Sequence, residues 1–464
     1  MVQDDLGGFG DARLRRTGAR LLAAMREQPT MCLHVLAEDR NEALSFGRFL
    51  EHAAVSSAEM LTTAGRLTAT RAAGRHVLAI QDTTELNFPE HAASKGGFGT
   101  AGNGTDIGLF IHPTIAVDAA GGGVIGLVGA QVINRTAGRV SDRKGRPAEA
   151  KESQRWLKAA EEAADVLTAA SSVTLVADRE SDIYDMFARR PAGVHLLSRS
   201  AQDRMLVGGI VLSKTIATWP EQGRVTLSLP ELPRRAARTA CLALRFGNVT
   251  LRRPDTADRN IAANVSLFAI DVAEVAAPAQ TVPLHWRLLT THEVADLAQA
   301  QQIVAWYRLR WTIEQVFRTL KSAALDIEKS QVTQVPRFTK LAMVALIAAV
   351  RIVQIVHGRD GTTNQPISDA IDPAMTPALA AINEKLQGKT SKLKNPHAPA
   401  SLAWLSWIVA RLGGWSGYTS KGYKPPGPKT IARGLTRLDG FIEGWQMAST
   451  QPNPPDRSGH VRLP

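Results

Sequence analysis

Short apolar runs and helical periodicity alternate through the first half of the chain. The segments HVLAIQD (76–82) and SSVTLVAD (171–178) are apolar runs of strand length, and each ends in an aspartate. Residues 110–135 contain two more such runs joined at a run of three glycines, which predicts a β-hairpin. An alanine-rich amphipathic helix is predicted at 150–170, and a further strand at 194–200.

The order of these elements predicts the fold class. A helix at 181–190, with Ser181 as its expected N-cap, completes the order strand, hairpin, helix, strand, helix, strand. That order predicts an α/β protein with a mixed sheet flanked by helices, arranged as in the ribonuclease-H-like fold. Because ligands bind at the carboxyl ends of strands in such sheets, Asp82 and Asp178 are candidate functional residues.

An alternating segment follows this core. Residues from about 199 to 290 alternate between apolar and polar positions, which predicts a β-rich insertion. Between Arg234 and Arg253 the insertion has six arginines and no acid, and this favours an exposed basic face along DNA. A long helix is then expected from about Asp296 to Ala324.

The chain is expected to divide into three parts. Short helices are predicted over residues 1–70, and the ribonuclease-H-like core with its insertion over 71–365. The third part, 366–464, is expected to hold a linker, a helical segment and a disordered tail. The linker is predicted from the many Pro, Thr, Asn and Lys residues of 358–400.

Charge and composition limit the kinds of molecule that the chain is expected to bind. The formal net charge of +12 makes a polyanion the natural partner, although membrane surfaces and ribosomes would also attract such a chain. The most apolar run, Leu341 to Val350, is too short for the roughly 20 residues of a membrane span and predicts a buried helix. Two distant cysteines, Cys32 and Cys241, exclude a zinc cluster or disulfide framework and suit a cytoplasmic protein.

A basic helix face is predicted near the N-terminus. Arg13, Arg16 and Arg20 are spaced so that they share one side of a helix. This face is a candidate for phosphate contacts, and a solvated charged surface is the alternative.

The segment YRLRWTIEQVFRTLK (307–321) carries the most informative pattern. On a helix of 3.6 residues per turn, Tyr307, Arg310, Glu314 and Lys321 lie along one face, which Arg318 shares. A carboxylate flanked by cations and a phenol suits a metal-bound phosphodiester. Taken alone, the same pattern is also typical of a surface face laced with Glu–Arg pairs.

Asp82, Asp178 and Glu314 together predict a metal site. Two-metal phosphoryl transfer needs hard oxygen ligands that converge from separate elements. We therefore expect these acids to hold two divalent ions, Mg²⁺ or Mn²⁺. No nucleotide cofactor is expected, because the glycine pattern at Gly97–Gly102 lacks a following helix and the Gly388-Lys389-Thr390 segment has Asn383 where a phosphate-binding loop needs glycine.

These motifs resemble those of the bacterial DDE transposases of the insertion-sequence-four family. Their Y-x2-R-x3-E-x6-K signature is similar to the pattern at residues 307–321, and their two acidic motifs resemble AIQDTTELNF (79–88) and VADRESDIY (176–184). Further similarity lies in KESQRWL (151–157) and, later in the chain, in PLHWRLLT and ARLGGWSGYTSKGYKPPG.

The resemblance implies a cut-and-paste transposase. It implies an N-terminal DNA-binding domain, a catalytic domain and a C-terminal dimerisation segment. It also implies a homodimer on paired transposon ends, with inverted repeats and target DNA as partners and a bacterial, nucleoid-associated location. Trp286 is implied to stack on a flipped base, and a core tryptophan of the β insertion is the alternative. Arg199 and Arg204 are candidate DNA contacts by their position at the start of the insertion, and His112, which matches a histidine beside the family's active site, is a further candidate.

Three other functions remain open from the sequence. A nuclease or resolvase on the same fold would cleave DNA without strand transfer. An inactive or domesticated transposase would bind DNA without cleaving it. A basic structural or RNA-binding protein would leave the acidic motifs unexplained.

Overall fold

A single mixed β-sheet organises the chain. The computed structural model describes residues 6–28, 30–89, 95–136, 153–229, 237–279, 281–418 and 424–450. In these ranges the strands are β1 His76–Gln81, β2 Thr84–Asn87, β3 Gly99–Thr100, β4 Ile107–Asp118, β5 Val124–Ile133, β6 Ser172–Ala177, β7 Val194–Arg199, β8 Gly223–Leu229, β9 Arg238–Arg252, β10 Asn264–Val275 and β11 His285–Thr290.

The centre of the sheet has the predicted ribonuclease-H-like order. The hairpin β4–β5 lies beside β1 through the antiparallel β1–β4 pair, and β6 and β7 continue in parallel on the other side of β1. The β-rich segment after β7 extends this same sheet, because β11 pairs with β7 and the order continues through β10, β9 and β8. The predicted α/β mixed sheet is therefore confirmed.

The central strands are buried on both faces. In β1, Val77 and Ala79 belong to one hydrophobic cluster, whereas Leu78 and Ile80 belong to the cluster on the opposite face. Alternate side chains point to opposite faces of a strand, so a strand covered on both sides needs apolar residues at every position. This is why the sequence shows continuous apolar runs there, and why each run ends where the chain leaves the sheet.

Helices cover both faces of the sheet. In the described ranges they are α1 Ala12–Glu27, α2 Leu33–Leu36, α3 Arg40–Glu51, α4 Ser57–Ala72, α5 Gln154–Val166, α6 Tyr184–Ala188, α7 Leu212–Ala217, α8 Leu297–Leu309, α9 Trp311–Arg318, α10 Val335–Gly358, α11 Thr376–Leu386, α12 Leu402–Leu412 and α13 Pro428–Thr450. The expected helix after β6 begins later than predicted. Ser181 lies in a short 3₁₀ turn, and the N-cap of α6 is Ile183.

Helix α10 is the central helix of one hydrophobic cluster. It is long and apolar enough to cross a membrane by length and composition, but 83% of its most apolar window is buried inside the structure. Sixteen of its residues are buried, including every position of the predicted run from Leu341 to Val350 except Ile347, which is partly buried. The prediction of a buried helix is confirmed.

The two helical flanks contact each other and the core. The Arg26 guanidinium of α1 lies 3.2 Å from the Asp439 carboxylate of α13, and Thr436 donates to the Ala23 carbonyl. Helix α4 packs on the sheet, where the Thr68 hydroxyl donates to the Leu127 carbonyl at 2.6 Å. The predicted boundary at residue 70 falls inside α4, and the functional division into domains stays a prediction.

The segment predicted as a linker, 358–400, is folded instead. It contains α11, and Asp369 in its 3₁₀ turn is buried against Arg75, with both guanidinium nitrogens within 2.8 Å of the carboxylate. Gln365 donates to the same carboxylate and to the Val124 carbonyl. The polar composition of this segment suggested a linker because the groups that its side chains bond, Arg75 and the Val124 carbonyl, lie far away in sequence. The predicted disordered tail, 451–464, lies outside the described residues.

Replacing Arg75 by alanine should lower the free energy of unfolding by about 3 kcal/mol, because it leaves the buried Asp369 carboxylate without its cation. Urea unfolding measures this change. The matched control is Arg66→Ala, which removes an exposed arginine of α4 and should cost less than about 0.5 kcal/mol. Equal losses in the two variants would contradict a role for the pair in fixing this segment.

Candidate active site

Three acids converge at the carboxyl end of the central strands. Asp82 directly follows β1, Asp178 directly follows the parallel neighbour β6, and Glu314 lies on α9. The negative charges of Asp178 and Glu314 both act on the pKa of Asp82, which places the three carboxylates within one electrostatic environment. The sheet therefore brings together the acids that the sequence singled out.

Asp82 is held by two hydrogen bonds. Its Oδ1 accepts from the Thr83 backbone N–H at 2.8 Å, and its Oδ2 accepts from Arg310 Nη1 at 2.7 Å. Burial and the negative charge of Asp178, opposed by Arg310, together raise the pKa of Asp82 to about 7. Because burial makes the ionised form of Asp82 unfavourable, a cation beside it is needed to keep this side chain in the carboxylate form that binds metal ions.

Asp178 also fulfils the structural role that a strand-end acid usually has. Its Oδ1 accepts from the Glu180 N–H at 2.8 Å and so caps the 3₁₀ turn at Arg179–Ser181. The second oxygen of this carboxylate is not used by that cap. Capping and ligand binding are therefore compatible at this position.

The predicted long helix is interrupted at Arg310. Helix α8 ends at Leu309 and α9 begins at Trp311, with a tightened turn in which the Arg310 N–H donates to the Tyr307 carbonyl at 3.1 Å. A π-helical turn at Thr319–Ala323 then widens the end of α9. The predicted long helix is thus divided into α8, α9 and a π-helical turn, and Arg310 at the first junction is 8% exposed.

The three carboxylates have the chemistry that divalent ions prefer, but their positions in this structure do not form an ion site. In the described part of the chain, no three His, Cys, Asp or Glu side chains are close enough to hold an ion together. The Arg310 guanidinium contacts Asp82 at 2.7 Å and Glu314 at 3.6 Å, so a cation already compensates these acids. Three carboxylates are the hard oxygen donors that Mg²⁺ and Mn²⁺ prefer, so the donor set fits.

Tyr307 and Trp286 form an aromatic wall beside the acids. Their ring centroids lie 5.6 Å apart in an edge-to-face contact, and Trp286 is 8% exposed. Burial raises the pKa of Tyr307, while the nearby charges of Arg310 and Arg199 lower it. Arg199 donates to the His285 carbonyl at 3.0 Å and keeps part of its surface exposed. Base stacking on Trp286 stays a prediction, since the ring is now covered.

Lys321 forms an ion pair with Glu328 within the protein. Its Nζ lies 3.6 Å from Glu328 Oε1, and the same oxygen accepts from the Asn87 backbone N–H at the end of β2. Glu328 thus connects the π-helical turn to the sheet. Spacing along the chain does not reveal the role of Glu328, because only the fold brings it beside the end of β2.

His112 is fully buried and cannot contact DNA, so the prediction that it is a DNA contact is wrong. It is 0% exposed, its Nδ1 lies 2.8 Å from Thr83 Oγ1, and its Nε2 lies 3.1 Å from Gln81 Oε1. Arg155 donates to the same Thr83 hydroxyl at 3.0 Å and to Glu180 at 2.7 Å. A neutral His112 that accepts from Thr83 and donates to Gln81 satisfies this chain of hydrogen bonds.

Thr83 and Arg155 are the site residues that sequence reasoning missed. Thr83 links His112 to Asp82, and Arg155 links Thr83 to the loop that follows Asp178. Both lie in segments that carried the family resemblance, which was the available signal. Their roles depend on hydrogen bonds between distant elements, which spacing along the chain does not reveal.

Arg204 is also placed differently from its implied role. It is 7% exposed, and its Nε donates to Asp182 Oδ1 at 2.6 Å. Asp182 accepts from the Ala201 and Gln202 backbone N–H groups as well. Arg204 therefore holds the loop after β7 against the loop after Asp178, and it presents almost no surface to a ligand.

The N-terminal arginines and Arg318 are exposed, as their predicted roles require. Arg13 and Arg16 border a groove between α1 and α3, while Arg20 is neutralised by Glu42 at 2.6 Å and approaches Glu38 at 3.4 Å. Arg318 is exposed on the last turn of α9. Their DNA contacts remain predictions, with Arg20 the least available of the four.

Substituting His112 should change how stability depends on pH. Burial lowers the pKa of His112 to about 3, well below its ordinary 6.5. Between these values only the unfolded chain binds the proton, so the free energy of unfolding falls as pH falls through about 6.5. The wild type should therefore lose about 2 kcal/mol more than His112→Gln between about pH 7 and pH 5.

Urea unfolding at both pH values measures this difference. His52→Gln, which replaces an exposed histidine, is the control and should follow the wild type. A wild-type pH dependence unchanged by His112→Gln would show that this imidazole does not stay neutral.

Comparison with a known family agrees with this geometry. The family model for the transposase DDE domain matches residues 73–351. The matched region includes β1 and β6 with their following acids, the inserted strands, and helix α9. Such domains act on DNA and generally use divalent metal ions. The match covers more than half of the chain, and the protein therefore belongs to the DDE transposase family.

Proposed function

We propose that this transposase moves an insertion sequence by a cut-and-paste reaction at Asp82, Asp178 and Glu314. The supporting observations are that Asp82 and Asp178 follow neighbouring parallel strands and that Arg310 pairs with both Asp82 and Glu314, in a chain that belongs to the DDE family. The Y-x2-R-x3-E-x6-K pattern at 307–321 supports membership of the insertion-sequence-four group.

The three acids would hold two divalent ions, Mg²⁺ or Mn²⁺. Bound at this site, the ions would supply charge neutralisation at a phosphodiester and lower the pKa of a nucleophilic water. Arg310 now compensates Asp82 and Glu314, so its guanidinium has to shift toward a DNA phosphate when the carboxylates take up ligands. Thr83 keeps Asp82 oriented through its backbone N–H during that exchange.

The proposed reaction has four in-line displacements. Water attacks the phosphodiester at the transposon end and frees a 3′ hydroxyl, which attacks the opposite strand to form a hairpin. Water opens the hairpin, and the 3′ hydroxyl then joins target DNA. Each step replaces one oxygen on phosphorus by another, so one site serves them all.

Side chains around the acids would position the DNA. Arg310 and Lys321 would bind neighbouring phosphates, and the Tyr307 hydroxyl would add a hydrogen bond. Trp286 would stack on a displaced base after moving from its contact with Tyr307. Arg199, Arg318 and the exposed face of α1 would contact the duplex farther away.

A homodimer on two paired ends would complete the assembly. Helix α13 exposes Phe441, Trp445 and Met447, of which Met447 is 70% exposed. Exposed apolar side chains of this size are typical of interaction surfaces. We infer that they contribute to contacts between protomers in a bacterial, nucleoid-associated protein.

Glu314→Gln should reduce metal-dependent nicking at the repeat boundary by at least about 100-fold, because it removes a charge from the proposed ligand set. The assay uses labelled duplex carrying the inverted repeats that flank this gene, with Mg²⁺ or with EDTA. Glu161→Gln changes an exposed acid of α5 and should cleave at the wild-type rate.

Two outcomes would contradict the proposal. Wild-type nicking by Glu314→Gln would exclude the assignment of this acid. Tight binding of the repeats with no cleavage by the wild type in either Mg²⁺ or Mn²⁺ would favour the inactive DNA-binding protein.

Lys321→Gln should weaken binding of the same duplex in EDTA and lower the slope of log affinity against log salt by about 1, as expected for the loss of one phosphate contact. Lys329→Gln is the matched control, because Lys329 is exposed and paired with Asp326 at 2.8 Å. A slope that falls equally in both variants would point to general charge rather than to a contact by Lys321.

A further inference from the structure

The positive charge of the chain is concentrated in one acid-free stretch. Residues 385–438 contain ten Lys and Arg residues and no Asp or Glu, whereas the excess for the whole chain is 12. Most of the net charge therefore belongs to about an eighth of the sequence. Like charges held this closely repel one another, and a polyanion relieves that repulsion.

Two exposed rows of cations come from this stretch. Lys429, Arg433 and Arg437 follow each other at intervals of four residues on α13, so they form a stripe along one side of the helix, and all three are exposed. Lys389, Lys392 and Lys394 are exposed on the loop after α11. We name these six residues the C-terminal basic surface.

Both rows border the end of α12. Arg411, in the last turn of that helix, donates to the Leu386 carbonyl at 3.2 Å and to the Trp415 carbonyl at 3.1 Å, which fixes the start of the loop. Arg437 donates to the Leu412 carbonyl at 2.6 Å. The backbone bond from Gly388 to Leu393 closes the loop itself. The two rows are therefore attached to adjacent residues of one rigid helix.

A short path of contacts connects this surface to the catalytic helix. The Oε1 of Gln315, next to Glu314, accepts from the Nε2 of His357 in the last turn of α10 at 2.8 Å. Two residues later, Arg359 donates to the Pro426 carbonyl at 2.9 Å, just before the start of α13. Two hydrogen bonds, through His357 and Arg359, therefore link the helix that carries Glu314 to the start of α13.

Two arginines of the predicted basic face of the insertion are engaged within the protein. Arg238, on the predicted basic face of the insertion, is paired with Glu274, and Arg253 donates to two backbone carbonyls at 2.6 Å. Arg234 and Arg235 lie outside the described residues. In the described part of the chain, none of the six residues of the C-terminal basic surface forms an ion pair with an acid.

We propose that the C-terminal basic surface binds the phosphate backbone of duplex DNA beside the cleavage site, without reading its sequence. This inference rests on the proposed function for its location on the DNA, but not for its chemistry. Lysines are point charges suited to phosphate contacts, and such contacts release counterions and fix position without reading bases. The surface would hold the duplex while the active site acts on one phosphodiester.

The test measures binding of the full-length protein to a duplex of arbitrary sequence in EDTA across a series of salt concentrations. Lys389→Gln, Lys392→Gln and Lys394→Gln are combined in one variant. If the three lysines contact phosphates, the slope of log affinity against log salt falls by about 3. A second variant, Lys429→Gln with Arg433→Gln, should lower the slope by about 2.

The control removes three exposed cations elsewhere, Arg66→Gln, Lys158→Gln and Lys214→Gln, and should keep the wild-type slope. Thermal unfolding checks that each variant is folded. A wild-type slope in both surface variants would overturn the inference. So would binding of the wild type to phosphatidylglycerol vesicles but not to duplex, since α13 also exposes apolar side chains.

Failure of this inference can be told from failure of the proposed function. The binding assay contains no metal ion and needs no cleavage, so its outcome does not depend on catalysis. Loss of slope in the surface variants, with no cleavage by the wild type, would support the surface and reject the catalytic proposal. Cleavage by the wild type, with an unchanged slope in the surface variants, would support the catalytic proposal and reject the basic surface.

Discussion

The ion pair between Arg310 and Asp82 is the interaction on which the candidate site depends. Three carboxylates at a buried sheet edge repel one another, and burial adds a further cost to ionising Asp82. Arg310 offsets both effects from a distance of 2.7 Å. Arg310 lies at the junction of α8 and α9, four residues before Glu314, and its guanidinium pairs with both acids. The helix junction and these two acids are therefore parts of one electrostatic arrangement.

The sheet and its hydrogen bonds make that arrangement rigid. Two strands buried on both faces deliver Asp82 and Asp178 to one edge, so the positions of these acids follow from packing. A chain of hydrogen bonds from Gln81 through His112 and Thr83 to Arg155 then fixes the turn after β1. The neutral imidazole suits this chain because a second proton would remove the acceptor that Thr83 uses. Support of this kind holds a ligand set in place when the cation beside it changes.

The sequence predicted features set by local pattern and missed those set by distant partners. Apolar runs ending in acids identified the core strands and their order, because burial on both faces leaves a visible mark in sequence. Arg310 and Asp82 are 228 positions apart, and Arg75 and Asp369 are 294 apart, so neither pair could be derived from spacing. The same reason explains the misplaced roles of His112 and Arg204. Their chemistry suggested DNA, whereas the fold buries each against a partner that the sequence does not specify.

The distribution of charge along the chain indicates two roles for its cations, pairing within the protein and binding a polyanion, which the net charge alone does not distinguish. Around the core, most arginines meet carboxylates or backbone carbonyls, and their charge acts within the protein. Beyond Glu384 the chain has no acid until Asp439, and the six residues of the C-terminal basic surface in that stretch are exposed. Salt screens such charges beyond about 8 Å at physiological ionic strength, so a polyanion has to lie on the surface to feel them. Affinity for the DNA backbone and chemistry at one phosphate then depend on different residues, and each can change without the other.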